Sequence, residues 1–212
     1  MITVRKIIII VILAISNVVT CQTTSDKNKE FKSIEEALIN PEKVYRLNLS
    51  NQKVLLTDIE WSKFVNLEYL NLENDHLKEI PKGVTNLKTL KVINLNGNDF
   101  NNLPVEFSNL TNLEELYLND EKNINLPKTL GVLSKLPKLK SLHLEDNNLK
   151  RLPSKILELK NLENLYLNHN KFKDVPKIKT LERLKFLDLY DNDLDPKLHD
   201  MRDLNFGFKI NF

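Results

Sequence analysis

The sequence predicts an α/β solenoid, in which short parallel strands stack along one axis with helical turns on the opposite side. Two observations support this fold class. An eleven-residue block with aliphatic residues at positions 1, 4 and 6 occurs seven times, and its starts are 22 to 26 residues apart. None of these 21 positions carries a polar side chain. Because a period in the twenties is typical of stacked repeats, the aliphatic positions form one continuous column.

Each block predicts one strand followed by an inward turn. Positions 4 and 6 alternate with an outward position 5, which is the period of a half-buried strand. Position 9 is Asn98, Asn147, Asn170 or Asn192 in four blocks, and Gln52, Asp75 or Glu121 in the others. Such side chains can bond backbone groups that the turn leaves unpaired, so we expect a structural ladder at position 9.

The second half of most repeats predicts a short helix or 3-10 turn. An aliphatic–Pro pair begins it, as in Leu103-Pro104 and Leu152-Pro153, and apolar residues then recur three or four apart. A proline with its fixed φ is typical of the first helical turn.

The whole pattern, L-x-x-L-x-L-x-x-N-x-L with the aliphatic–Pro pair, runs over residues 44–194. It resembles the leucine-rich repeat proteins of the bacterial LPxxL type. The resemblance implies a horseshoe of seven repeats, with a parallel β-sheet on the concave face and short helices or 3-10 turns on the convex side. It also implies that the concave face binds a partner.

Residues 1–20 predict a secretory signal. Arg5 and Lys6 precede an apolar run from Ile7 to Ile15. As a helix this run spans about 14 Å, which is too short for a hydrocarbon core of about 30 Å.

Cys21 is the only cysteine, and it follows the signal at the place where bacterial lipoproteins carry their lipidated residue. Val18 fits the lipoprotein cleavage pattern, whereas Thr20 departs from the usual Gly, Ala or Ser. The resemblance therefore extends to bacterial leucine-rich repeat lipoproteins. The alternative is an ordinary signal cleaved after Ser16, which leaves a free thiol.

Polar residues 21–30 predict a flexible tether. Loss of Arg5 and Lys6 with the signal leaves 29 basic residues against 29 acidic ones. A net charge of zero gives no electrostatic footprint for nucleic acid.

Caps are predicted at both ends of the repeats, because an open solenoid exposes its core there. Residues 31–43 form the N-terminal cap: Ser33 and Glu36 predict a capping box for a helix over 34–40, with Phe31, Ile34, Ala37 and Leu38 over the first leucines. Residues 195–212 form the C-terminal cap. Leu204, Phe206, Phe208, Ile210 and Phe212 alternate with other residues there, which predicts a closing edge strand.

The fourth repeat is three residues longer than its neighbours. Its Leu126-Pro127 pair keeps the normal offset, so the insertion lengthens the convex helix and leaves the sheet register intact. Asn123 replaces an apolar residue at position 11, which predicts a bulge at 120–124. Structural irregularity and a functional role both remain open for this region.

Nothing in the sequence predicts catalysis, a cofactor or a metal site. It contains no G-x-x-x-x-G-K loop and no H-E-x-x-H motif. His143 and His169 lie about 10 Å apart in the expected sheet, too far to share one zinc ion. We interpret both as solvated surface histidines, and the pairs Glu114-Glu115 and Glu145-Asp146 as solubilising charges.

The outward positions of the sheet predict a protein-binding surface. Four of the five tyrosines occupy them, and tyrosine gives a large contact area with little loss of entropy. The alternative is that aromatic residues simply suit strands. The candidate partner-binding residues are Tyr69, Val92, Tyr117, His143, Tyr166, Phe186 and Tyr190.

The sequence therefore favours a monomeric, non-catalytic protein-binding module. We expect it to be exported and anchored to a bacterial membrane through Cys21, on the periplasmic side or at the cell surface. A structural envelope protein that binds glycan or peptidoglycan is the second hypothesis, and an enzyme is the third.

Overall fold

The computed structural model describes residues 26–52, 59–195 and 207–212. Nine parallel strands form one sheet, and their order in space follows the chain. The strands are β1 (Glu30–Phe31), β2 (Arg46–Asn48), β3 (Tyr69–Asn71), β4 (Val92–Asn94), β5 (Glu115–Tyr117), β6 (Ser141–His143), β7 (Asn164–Tyr166), β8 (Phe186–Asp188) and β9 (Lys209–Asn211). The predicted solenoid is confirmed. The signal, Cys21 and residues 22–25 of the tether lie outside the described residues.

The register of the sheet stacks identical positions of successive repeats. Strands β2 to β8 occupy positions 3 to 5 of their blocks, so that Glu115 pairs with Ser141 and Tyr117 with His143. All 21 aliphatic positions are at most 4% exposed. Because position 4 points into this column, positions 3 and 5 point out of the concave face.

The convex side carries short helical segments, and all of them except Pro41–Lys43 and Trp61–Lys63 go with an aliphatic–Pro pair. The 3-10 segments are Pro41–Lys43, Trp61–Lys63, Val84–Asn86, Val105–Asn109 and Ser154–Glu158. The long fourth repeat instead carries a full α-helix of eight residues, Leu126–Leu133 (α2). The predicted effect of the insertion is therefore confirmed. After Val175-Pro176, in the shortest repeat, the described chain forms no helical segment.

The N-terminal cap begins with a strand that the sequence did not predict. Glu30, assigned to the tether, pairs with Arg46 in the sheet. The Ser33 hydroxyl accepts the Glu36 N–H at 3.2 Å and caps helix α1 (Ile34–Ala37). This helix ends before Leu38, whose side chain is 39% exposed. The predicted contact of Leu38 with the core is therefore wrong.

The C-terminal cap closes the sheet with an edge strand. Strand β9 pairs in parallel with β8, and Phe208 and Ile210 pack partly buried against the core. The predicted edge strand is confirmed there. Leu204 and Phe206 lie outside the described residues.

The position-9 residues form the predicted ladder. Asn170 Oδ1 accepts the N–H groups of Asn147 and Leu149 at 3.1 and 2.9 Å. Its amide donates to the carbonyl oxygens of Leu144 and Leu167, both at 2.9 Å. Each ladder amide thus joins two neighbouring repeats through their backbones.

Glu121 takes the ladder position in the fourth repeat. Its carboxylate accepts the N–H groups of Asn98 at 2.9 Å and Phe100 at 3.3 Å. Asp120 has a φ of 53°, the same left-handed conformation found at position 8 of all seven blocks. The predicted bulge therefore reduces to a turn at Lys122 and Asn123, followed by a half-buried Ile124.

Candidate binding face

Three aromatic rings stack at the centre of the concave face. Tyr117, His143 and Tyr166 occupy position 5 of β5, β6 and β7, and we call them the central stack. The ring centroids are 3.9 and 4.1 Å apart, and the planes are tilted by 15° and 5°. Neighbouring strands lie about 4.8 Å apart, so a ring at the same position of successive strands meets the next ring face to face.

Two carboxylates hold the imidazole inside the central stack. His143 Nε2 lies 2.9 Å from Glu115 Oε1, and Nδ1 lies 3.5 Å from Glu145 Oε1. The Tyr117 hydroxyl donates to the same Glu115 oxygen at 2.9 Å. The stack is therefore held by hydrogen bonds as well as by ring contacts.

His143 is only 7% exposed, so its interpretation as a solvated surface histidine is wrong. The rings of Tyr117 and Tyr166 cover its two faces, and the carboxylates take its two nitrogens. Glu115 and Glu145 accordingly do more than solubilise the surface. His169 does lie exposed, in the left-handed turn position.

The carboxylates favour the protonated form of His143. Burial alone would lower the pKa of this imidazole, but the bonds to Glu115 and Glu145 outweigh it and raise the pKa above 6.5. The bond from His143 lowers the pKa of Glu115, while burial and Glu115 raise the pKa of Tyr117. The centre of the face is thus a titratable imidazole that lies between two phenol rings and next to two carboxylates.

Other aromatic residues extend the face on both sides of the central stack. Phe186 lies 5.6 Å from the Tyr166 ring at a tilt of 59°. Tyr190, which is 54% exposed, meets His169 edge to face at 6.0 Å. At the other end of the sheet, the Arg46 guanidinium lies 4.0 Å from the centroid of Tyr69.

All seven candidate residues occupy positions 3, 5 or 7 of their blocks. One continuous group of rings consists of Tyr117, His143, Tyr166 and Phe186. Tyr69 lies two strands from this group and packs with Arg46. Val92 lies half-buried between Tyr69 and Glu115 in the position-3 column.

The sequence interpretation missed the polar partners of these rings. Glu115 stands at position 3 and Glu145 at position 7, on the same side of the sheet as position 5 and on the strands that carry Tyr117 and His143. Comparing outward positions across neighbouring strands, rather than along the chain, would have identified both glutamates.

The described part of the chain contains neither a metal site nor a membrane span of the usual kinds. Within residues 26–52, 59–195 and 207–212, no group of three or more His, Cys, Asp or Glu side chains is placed to hold a metal ion. In the same ranges, no helix has the length and apolar character needed to cross a bilayer.

The parallel sheet, the aliphatic column and the amide ladder define a solenoid built from repeated strand-and-turn units. Two family models match it: "Leucine-rich repeat region" over residues 43–142 and "Leucine rich repeat" over residues 137–194. The chain therefore belongs to the leucine-rich repeat family. Domains of this family commonly bind proteins and are generally non-enzymatic scaffolds.

Solved structures of leucine-rich repeat proteins share the fold. A Leptospira interrogans leucine-rich repeat protein is 27% identical with a TM-score of 0.52, and the match covers 79% of this chain and 54% of that one. TLR13 in its complex with ssRNA13 is 31% identical with a TM-score of 0.54, over 64% of this chain and 20% of TLR13. The chain thus matches about half of the first protein and a fifth of the second. No curated protein sequence matches the chain significantly.

Proposed function

We propose that the protein is a monomeric, non-catalytic binding module whose concave face contacts a protein partner. The observation that supports this is the central stack, in which both tyrosines are half-exposed while their rings are already fixed by His143. Side chains that are ordered before binding lose little entropy when the partner arrives, so their contact area contributes more to affinity.

The dimensions of the face suit a protein partner. Seven repeat strands about 4.8 Å apart give a sheet about 34 Å wide. Standard protein interfaces use roughly 20 to 30 residues a side. The outward positions of the seven repeats supply a surface of that order.

The test is a double substitution in the central stack, Tyr117→Ala with Tyr166→Ala. Partner capture by proximity labelling in intact cells should be lost, because binding energy concentrates in a few central aromatic side chains, each worth about 2 kcal/mol or more. The unfolding midpoint should change little, because neither side chain enters the aliphatic column.

Two convex lysines provide the matched controls. Lys128→Ala and Lys155→Ala should leave capture unchanged, since both residues lie on the side opposite the sheet. If these lysine variants lose the partner and the double tyrosine variant retains it, the concave-face assignment is refuted. The insertion near Leu133 would then be the next candidate for the binding site.

Glycan or peptidoglycan binding is the second candidate function. Asn48 and Asn94 lie partly exposed at position 5 of β2 and β4, on either side of the buried Asn71 and beside Tyr69. Rows of amides next to an aromatic ring suit sugar hydroxyls and the apolar faces of sugar rings. Binding to a glycan array without capture of any protein would favour this candidate.

RNA is not the ligand that we propose, although TLR13 was solved with an RNA. The outward positions 3, 5 and 7 of the repeats carry four carboxylates and one arginine. A polyanion would be repelled by this balance of charge.

We also propose that the protein is an exported bacterial lipoprotein of the LPxxL leucine-rich repeat type, anchored to the membrane through Cys21. The apolar run before Cys21 and the position of this single cysteine support the proposal. Cys21→Ala should move the protein from the detergent phase to the soluble fraction. Unchanged detergent partitioning would exclude the lipid anchor.

A further inference from the structure

The concave face already holds two basic side chains of its own chain on the same combination of groups. Arg46 lies over the Tyr69 ring at 4.0 Å, and its guanidinium is 3.4 Å from Glu30. His143 lies between two phenol rings and 2.9 Å from Glu115. In each case an aromatic ring covers the basic side chain and a carboxylate lies within bonding distance of its nitrogen.

A third combination of the same kind lies at the C-terminal end of the face. Asp188 stands at position 5 of the last repeat, between Phe186 at position 3 and Tyr190 at position 7. All three side chains point outward from the same strand and its continuation. Tyr166 borders the group through its contact with Phe186.

The hydrogen-bond donors to Asp188 are neutral. Its Oδ1 accepts the Tyr190 N–H at 3.0 Å and the Asn211 amide at 2.9 Å. No Lys or Arg of the described residues forms an ion pair with this carboxylate, and Lys209 beside Phe186 remains exposed. The third site thus contains the aromatic rings and the carboxylate, while no cation of the described chain is bound there.

The charge of the concave face also favours a cationic ligand. At positions 3, 5 and 7 of the repeats, Glu73, Glu115, Glu145 and Asp188 outnumber the single arginine, Arg46, and the neighbouring strand β9 adds one exposed lysine, Lys209. A separate groove outside the strands is lined by five basic residues that form no ion pair within the described part of the chain: Lys150, Arg151, Lys171, Lys173 and Lys177. Complementary charge steers a partner and fixes its orientation, so this face favours a basic partner surface.

We propose that Asp188, Phe186 and Tyr190 form a docking site for an arginine or lysine side chain of a protein partner with a basic surface. This inference rests on the proposed function and identifies the class of partner. Arginine is the better occupant, since its planar guanidinium stacks on a ring and bonds a carboxylate at once, as Arg46 does on Tyr69 and Glu30.

The probes are three synthetic decapeptides in which glycine alternates with arginine, lysine or citrulline. Citrulline keeps the shape of arginine and lacks its charge. Titrated into the full chain, the arginine peptide should bind more tightly than the lysine peptide, and the citrulline peptide should bind at least about tenfold more weakly. Affinity for the arginine peptide should fall as salt is added.

Asp188→Asn should weaken binding of the arginine peptide by about tenfold. The amide oxygen can still accept from Tyr190 and Asn211, so the strand should remain folded, which its denaturation curve would verify. The matched control is Asp174→Asn, an exposed aspartate outside the sheet. It should leave the affinity unchanged, and Lys209→Gln should raise it by about twofold, because a neighbouring positive charge is removed.

Two titration results would overturn the inference. The first is that Asp188→Asn binds the arginine peptide as tightly as the unchanged protein does. The second is that the unchanged protein binds the arginine and citrulline peptides with equal affinity. The double variant Tyr117→Ala with Tyr166→Ala tests the proposed function separately. If the double tyrosine variant loses its cellular partner and Asp188→Asn retains it, the concave face binds a protein but the Asp188 site is not used, and the inference is wrong. Binding of neutral oligosaccharides in place of the arginine peptide would overturn the inference and favour the glycan hypothesis.

Discussion

Two columns of polar contacts cross the same repeats on opposite sides of the sheet. The ladder at position 9 lies inside, and each of its amides bonds backbone groups of neighbouring repeats, as Asn170 does with Asn147 and Leu144. The central stack at position 5 lies outside, and its bonds join side chains only, as His143 does with Glu115 and Glu145. Both columns repeat with the strands, but they depend on different partners.

This difference separates the residues that specify the fold from those that can specify a ligand. Removal of a ladder amide leaves buried backbone groups without partners, and their desolvation is not recovered. Removal of a stacked ring exposes other side chains to water, which can solvate them. The outer column can therefore change while the solenoid stays folded.

The largest effect should come from the ladder. Asn170→Ala leaves three backbone groups unpaired: the N–H groups of Asn147 and Leu149 and the carbonyl of Leu144. Leu167 keeps its bond from Asn192. We expect a loss of about 3 kcal/mol in the free energy of unfolding, measured by chemical denaturation.

Two further variants should lose less stability than Asn170→Ala, in proportion to the number of backbone groups left unpaired. Asn147→Ala leaves two groups unpaired, the Glu121 N–H and the Leu118 carbonyl, so its cost should be smaller, about 2 kcal/mol. Asn123→Ala changes an exposed turn residue and should cost little. Equal denaturation curves for all three variants would contradict the contrast between the two columns.

The second effect concerns the one carboxylate in the ladder. Glu121 is 1% exposed, and burial raises its pKa to about 7 from 4.5, although backbone N–H groups of Asn98 and Phe100 act in the opposite direction. Its folded pKa lies above its unfolded pKa, so folding favours the protonated form. The free energy of unfolding should therefore fall as the pH rises from about 4.5 to about 7.

Glu121→Asn should remove this dependence. Asparagine serves the same position in four other repeats and carries no charge to desolvate. At pH values above about 7 the variant should be more stable than the unchanged protein, and near pH 4.5 the gain should disappear. Parallel denaturation curves at both pH values would show that Glu121 does not titrate in this range.

The repeats themselves could be predicted from the sequence because seven copies report the same geometry. Period and alternation determine which residues point inward, and so the register, the convex helix of the long repeat and the ladder were predicted correctly. The two-residue strand Glu30–Phe31 was not, since two residues carry no period. It is stabilised by pairing with Arg46 and Leu47, a tertiary contact without a local signal.

The candidate site was predicted only as a set of outward positions. Stacking of Tyr117 on His143 follows from register, but burial of the imidazole depends on both neighbouring rings and on two glutamates from different repeats. Glu115 and Glu145 are 30 residues apart in the sequence. No pattern along the chain joins them, and only the stacking of β5 on β6 does.

The smallest effect, and the sharpest test of the outer column, is the titration of His143. Its pKa should lie above 6.5, because two carboxylates outweigh its burial, and the imidazole signals in NMR spectra would report it. Glu115→Gln removes the stronger bond and should lower this pKa, whereas Glu182→Gln, an exposed change outside the sheet, should not. The stabilising contribution of a raised histidine pKa is complete below 6.5 and is lost as the pH rises through the folded value. If Glu115→Gln leaves the pKa of His143 unchanged, the central stack is held by ring contacts alone.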